Sequence, residues 1–281
     1  MQLSTTDHNR NIAGLTYIYP VLSRRAGGLS IGINFNTNNA CNWRCLYCQV
    51  PNLKLGSAPT IDFQLLEQEL RYFLNDVLYG DFFQHFQIEE GKRVIKDIAI
   101  SGNGEPTSVK DFDKAVALIG NIATELGIFP HSHFVLITNG SLIHRLSVQE
   151  GLKKLSQFNG EVWFKLDSAT KQGRDLINNA GQSCRTSVEN LLLSARLCPT
   201  KIQTCLIKFD KQNPSEEEKK AYLDLLTTIK TSGCEIKTVM LYSLARASLQ
   251  PESNRLERVS LEELNKLAND IRLLGFDVLV A

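Results

Sequence analysis

Residues 29–48 read LSIGINFNTNNACNWRCLYC. The first seven, LSIGINF, form a short apolar run of the kind that makes a β-strand. It leads into three thiols, Cys41, Cys45 and Cys48, in a chain with seven cysteines among 281 residues. A strand that runs directly into chemically unusual side chains suits a parallel-sheet protein, where function gathers at the carboxyl ends of the strands.

The rest of the chain repeats this order. DIAIS (97–101) leads into Gly102-Asn103-Gly104-Glu105-Pro106-Thr107, HFVLIT (133–138) ends at Thr138-Asn139-Gly140, and VWFKL (162–166) precedes Asp167-Ser168. KIQTCLIK (201–208) gives way to Phe209-Asp210, and IKTVMLYS (236–243) carries Tyr242 just ahead of Arg246. A last run, FDVLVA, occupies 276–281. Between these runs, apolar residues recur three and four apart over 61–78, 111–126, 185–197, 215–230 and 260–274, which predicts helices. Thr60, Ser215 and the box Ser260-Leu-Glu-Glu263 offer helix N-caps. Six strand-plus-helix units imply a parallel sheet covered by helices, either an open doubly wound sheet or a curled barrel. Near-continuous apolar strands fit both.

Composition bounds the rest. Apolar residues make up 43% and charged residues 22%, as in soluble globular proteins. No apolar run reaches the roughly 20 residues of a membrane span, and the N-terminal residues lack the apolar core of a secretory signal, so a cytoplasmic location is expected. An odd number of cysteines without a framework points to metal ligation rather than disulfides. Net charge is +1, but residues 1–60 hold five basic side chains (Arg10, Arg24, Arg25, Arg44, Lys54) against one acid, Asp7. The thiols therefore sit in a locally basic region. No internal repeat, low-complexity tract or Pro/Ser-rich linker divides the chain.

Thiolates at i, i+4 and i+7 converge on one centre and select zinc, copper(I) or iron–sulfur. Structural zinc takes four protein ligands, and the other cysteines, Cys184, Cys198, Cys205 and Cys234, are scattered singly. None of the five histidines stands at a zinc-finger spacing. A [4Fe–4S] cube has four irons, so three cysteines leave one iron open to a further ligand.

The spacing Cys-x3-Cys-x2-Cys resembles the signature of the radical S-adenosylmethionine (SAM) superfamily. That resemblance implies a partial (β/α)6, TIM-like barrel and a [4Fe–4S] cluster on Cys41, Cys45 and Cys48. It implies SAM chelated at the open iron and cleaved reductively to a 5′-deoxyadenosyl radical. It also implies a one-electron donor such as flavodoxin or ferredoxin. Tyr47 matches the aromatic next to the adenine, and GNGEP (Gly102, Asn103, Gly104, Glu105, Pro106) resembles the glycine-rich segment that binds the SAM amino group. Thr138, Asn139, Asp167 and Ser168 match strand-end positions that contact the SAM carboxylate or ribose. A narrower likeness, carried by Tyr19–Arg25, Gly28–Asn34, GNGEPT and FKLDSA, is to the group of the wyosine-type tRNA modification synthases. Residues 1–40 lack the cysteines that hold those enzymes' second cluster. The substrate side is assigned to Arg24, Arg25, Tyr242 and Arg246, with tRNA or a protein as substrate. The chain is read as one domain, with a leader over 1–28 and the partial barrel over 29–281.

Plainer readings stand beside these. Lys165 and Asp167 share one strand face and form a salt bridge inside the mouth or bind ligand. Arg24 and Arg25 are a solvated pair or an anion clamp. The four single cysteines pack as small hydrophobes, and His131 and His133 are structural. A metal-holding interaction protein without catalysis is the alternative of a different class.

Overall fold

The computed structural model describes residues 3, 10, 12–23 and 27–281. In chain order its elements begin with β1 (Ile18–Ser23), β2 (Gly28–Ile33), β3 (Ala40–Cys41), β4 (Lys54–Leu55), α1 (Phe63–Tyr79) and α2 (Phe82–His85). Then come β5 (Ile95–Ile100), α3 (Phe112–Glu125), β6 (His133–Thr138), α4 (Leu146–Gln157), β7 (Glu161–Lys165), α5 (Lys171–Asn178) and α6 (Cys184–Leu197). The chain continues through β8 (Thr200–Cys205), β9 (Ile207–Phe209), α7 (Glu216–Thr231), β10 (Thr238–Tyr242), β11 (Leu256–Arg258), α8 (Leu261–Leu273) and β12 (Asp277–Val280).

The main sheet runs β1-β2-β5-β6-β7-β8-β10-β12. Every neighbouring pair from β2 to β12 is parallel, and β1 lies antiparallel on the β2 edge. All seven strands expected from the apolar runs are present. β1 falls inside the stretch set apart as a leader; its Pro20 pairs with Ile31, and proline is tolerated on such an edge strand. α1 is capped by Asp62, whose side chain accepts from Leu65 N, and not by the expected Thr60. Ser215 caps α7, and the Ser260–Glu263 box opens α8 as its sequence indicates.

Strand alternation sorts the sheet into two faces. Leu29, Ile31, Ile33, Ile98, Ile100, Phe134, Leu136, Val162, Phe164, Ile202, Val239 and Leu241 join the helices in one apolar core. Gly32, Asp97, Ala99, Ile137, Trp163, Lys165, Gln203, Met240 and Tyr242 point the other way. On that face, side chains meet across an intervening strand: Lys165 Nζ donates to Tyr242 Oη at 2.6 Å over β8, and Tyr19 Oη lies 2.9 Å from Ser101 Oγ over β2. Ile137, Trp163 and Lys165 are only half-buried although β6 and β7 are central strands. This face is therefore the concave lumen of a barrel, open between β1 and β12. No helix of the described residues is long and apolar enough to cross a membrane.

Candidate active site

The cysteine loop begins at β3 and is clamped from two sides. Arg44 N and Leu46 N donate to the carbonyls of Asn178 and Ile177 at the end of α5, at 3.2 and 2.8 Å. On the other side Leu249 N donates to Cys48 O at 2.9 Å, and Ser248 Oγ to Leu46 O at 2.5 Å and Cys48 O at 3.1 Å. The Arg44 guanidinium forms a two-pronged pair with Glu252 at 2.8 and 2.8 Å. Trp43 and Leu46 dig into the protein while Cys41, Cys45 and Cys48 stay half-buried at the mouth.

Two of the sulfurs already accept hydrogen bonds. Trp43 N reaches Cys41 Sγ at 3.5 Å, and Asn178 Nδ2 reaches Cys45 Sγ at 3.3 Å. Burial pushes the Cys41 and Cys45 thiols up to about 12 and also raises Cys48. Thiols so placed stay protonated until a metal centre supplies the positive charge that holds them as thiolates. Among the described residues, no three His, Cys, Asp or Glu side chains close on one metal ion.

Across the mouth, the glycine-rich turn presses against the chain leading into the cysteines. Gly102 has φ +145°, and a Cβ there would run into the Asn34 side chain; one on Gly104 would strike the Ala40 carbonyl. Glycine is required at both by close approach. Asn34 Oδ1 accepts from Asn36 N at 3.1 Å and Asn103 N at 2.9 Å, while Asn36 Nδ2 donates to Ala40 O at 2.8 Å. Two buried acceptors at this seam, Asn36 Oδ1 and Asn103 Oδ1, have no partner. An incoming ammonium group would satisfy such acceptors.

Glu105 lies at the base of this turn and is held by four donors. It is 2% exposed, and its carboxylate accepts from Thr107 N (3.1 Å), Thr107 Oγ1 (2.5 Å), Thr138 Oγ1 (2.6 Å) and Asn139 N (2.7 Å). It thus ties the end of β5 to the end of β6. Burial pushes its carboxyl above the ordinary range, against the pull of these donors. Thr138 is engaged by the same carboxylate, and Asn139 Nδ2 donates to Asn42 Oδ1 of the cysteine loop at 2.9 Å.

Asp167, after β7, is a second buried tie at the rim. One oxygen accepts from Tyr47 Oη and from Asn178 Nδ2 (2.7 Å), and the other from Cys205 N (2.8 Å) with Lys165 Nζ at 3.7 Å. Burial opposes the Lys165 charge, but Asp167 and Tyr242 outweigh it and hold the ammonium above the ordinary lysine value. Burial, then Asp167, likewise raises the Tyr47 phenol. The salt-bridge reading of Lys165 and Asp167 describes this contact. Ser168 is fully buried, its hydroxyl bonded to Thr170 at the start of α5.

Of the remaining expected residues, Tyr242 sits on the lumen face beside Lys165, and Arg246 adjoins the cysteine loop, its carbonyl accepting from Gln49 Nε2 at 3.4 Å. Arg24 and Arg25 lie outside the described residues. Phe209 ends β9 in the small β9–β11 ladder, and Asp210 just after it pairs with Arg255. Of the four single cysteines expected to pack as small hydrophobes, Cys198 and Cys205 are buried, while Cys184 and Cys234 are only half-buried. Sequence reasoning missed Asn34, Asn36, Asn42, Arg174 and Asn178. The polar residues crowded between LSIGINF and the first cysteine were the available signal for the first three.

These features define a class: a parallel α/β half-barrel with a soft-ligand loop at its carboxyl mouth, facing a glycine turn that is short of a donor. Residues 35–221, more than half of the chain, match the Radical SAM superfamily, and the chain belongs to it. Members use a [4Fe–4S] cluster and SAM and draw on an electron donor, so the protein is a radical SAM enzyme. A radical SAM methyltransferase structure from Sphaerobacter thermophilus superposes with a TM-score of 0.60 at 15% identity, covering 97% of this chain and 71% of that one. A structure of TYW1 with a lysine-pyruvate adduct bound gives 0.56 at 15% identity, over 87% and 73%. At these identities the likeness is one of fold, the partial TIM barrel. A curated relative, GTPase Obg of Brachyspira hyodysenteriae (strain ATCC 49526 / WA1), is 29% identical over 133 residues, 47% of this chain; the match spans only 17% of that protein.

Proposed function

We propose that Cys41, Cys45 and Cys48 hold the [4Fe–4S] cluster, that the glycine turn receives the ammonium end of SAM, and that an RNA nucleobase enters the lumen. The observation that carries this reading is the pairing of three half-buried thiols on a clamped loop with a turn bearing two unpartnered acceptors. When bound, the cluster supplies one electron to SAM, whose cleavage yields the 5′-deoxyadenosyl radical that takes hydrogen from substrate.

The chain's own residues bind, orient and exclude water. Asn103 Oδ1 and Asn36 Oδ1 offer acceptors to the ammonium. Glu105 fixes the turn against β6, and Asn42 and Asn139 lock the rim to the cysteine loop. Trp43 and Leu46 close the protein side of the loop to water. Below the mouth, Trp163 and Tyr242 give the lumen aromatic walls that suit a planar base, and Lys165 supplies a fixed positive charge. The leader motif at Tyr19–Arg25 and the basic N-terminal region support RNA over a protein substrate. A flavodoxin or ferredoxin in the cytoplasm serves as donor in this reading.

The test is anaerobic reconstitution with iron and sulfide, followed by quantification of 5′-deoxyadenosine with buffer, cellular RNA or the protein fraction. Stimulation by RNA alone is expected. Stimulation by protein alone would replace the substrate assignment, and no SAM cleavage in any arm would overturn the reading.

A further inference from the structure

Helix α5 buries two side chains, Arg174 and Asn178. They are four residues apart, hence on one face of the helix, and that face meets the cysteine loop. Asn178 Nδ2 lies 2.7 Å from Asp167 Oδ2 and 3.3 Å from Cys45 Sγ. Carboxylate and sulfur are both acceptors, so the amide nitrogen must face them, and its two hydrogens divide between them. Arg174 is 2% exposed, and its guanidinium lies 5.7 Å from the centre of the Trp43 ring. Its one hydrogen bond runs from Nη2 to Gln182 O at 3.4 Å, and its Nε is buried without a partner. No carboxylate comes within 4.0 Å of it among the described residues, and Cys184, Asp167 and Asp175 act on it only from farther away. A buried guanidinium without a direct ion pair is costly. That cost is explained if an anionic centre belongs beside it.

We propose that α5 sets the reduction potential of the cluster, Asn178 by donating an N–H to the Cys45 sulfur and Arg174 by placing an unpaired positive charge behind Trp43. The inference rests on the reading that Cys41, Cys45 and Cys48 hold the cluster. Reduction adds one negative charge to the cluster. Hydrogen bonds to the ligand sulfurs and nearby net charge are the protein's levers on that equilibrium, and a donor and a cation both favour the reduced state. Asn178 also joins Cys45 to the Asp167–Tyr47 pair, so one amide links the cluster to the lumen wall. Both residues are positioning residues, acting through Cys45 and Trp43.

The experiment is an EPR-monitored redox titration of the anaerobically reconstituted protein beside Asn178→Leu, Arg174→Met and Arg174→Lys, with iron content measured for each. Asn178→Leu keeps the volume without the donor, and Arg174→Met keeps packing on Trp43 without the charge. Each is expected to make reduction about tenfold less favourable, a drop of about 59 mV for a one-electron couple, while Arg174→Lys stays close to wild type. Full iron content with less than about a twofold change in both Asn178→Leu and Arg174→Met would overturn the proposal and leave the cluster assignment standing. If Asn178→Leu takes up no iron, Arg174→Met decides. A wild-type protein that takes up no iron would overturn the cluster assignment itself, and this inference with it.

Discussion

Glu105 and Asp167 are both buried carboxylates on the rim, following β5 and β7 with one strand between them, yet they hold different kinds of partner. Glu105 accepts only from neutral donors, two of them backbone N–H groups, and binds β5 to β6. Asp167 faces a lysine ammonium, a tyrosine of the cysteine loop and the amide that touches Cys45. The first is a strut within the barrel, and the second couples the barrel to the loop. Carboxylates at a barrel mouth are therefore not by that fact ligand contacts. Here both stiffen the rim through their protein partners.

The largest effect should come from the loop itself. Cys41→Ala, Cys45→Ala and Cys48→Ala are each expected to abolish 5′-deoxyadenosine formation and to lower bound iron; full turnover in any of the three would break the assignment. The two carboxylates come next. Asp167→Asn leaves the Lys165 ammonium buried without its counter-charge, and denaturant unfolding should show a loss of about 3–5 kcal/mol. Glu105→Gln mismatches neutral donors only and should lose about 1–3 kcal/mol. Equal losses would erase the distinction between strut and coupler. Arg44→Ala removes a half-exposed ion pair and should lower stability by only about 1 kcal/mol, with faster iron release to a chelator as the more sensitive readout.

The smallest effect concerns Asp97, at the far end of the lumen. Its side chain accepts from Ser30 Oγ, and burial raises its carboxyl above the ordinary value of 3.8. Because the native value is the higher one, wild type loses stability as pH climbs through it. Asp97→Asn keeps an acceptor for Ser30 without the charge. Its melting temperature should exceed wild type at neutral pH, and the gap should close as pH falls toward the ordinary carboxylate range. A gap that widens on acidification would reverse the sign of this account.

The parallel strands were legible because each is buried against helices and reads as an apolar run. The amphipathic helices α1, α3, α6, α7 and α8 were legible for the same reason. Helices α4 and α5 were not: α4 buries only Val148, Gly151, Leu152 and Leu155, a short apolar stripe, and what α5 buries is an arginine and an asparagine, so no apolar period marks it. β1 was hidden by its proline and by lying on the edge. The positions of the cysteines, the glycine turn and both carboxylates could be read from residue type and order. Their partners could not: Asn34, Asn36 and Asn178 resemble ordinary loop residues until the fold closes them on Gly102, Gly104 and Cys45.

The most direct test of the account is the EPR spectrum of the reduced, reconstituted protein recorded with and without SAM. The account predicts about four irons per chain and a cluster signal that changes shape when SAM is added. A signal indifferent to SAM, or zinc bound at the loop without iron, would contradict it.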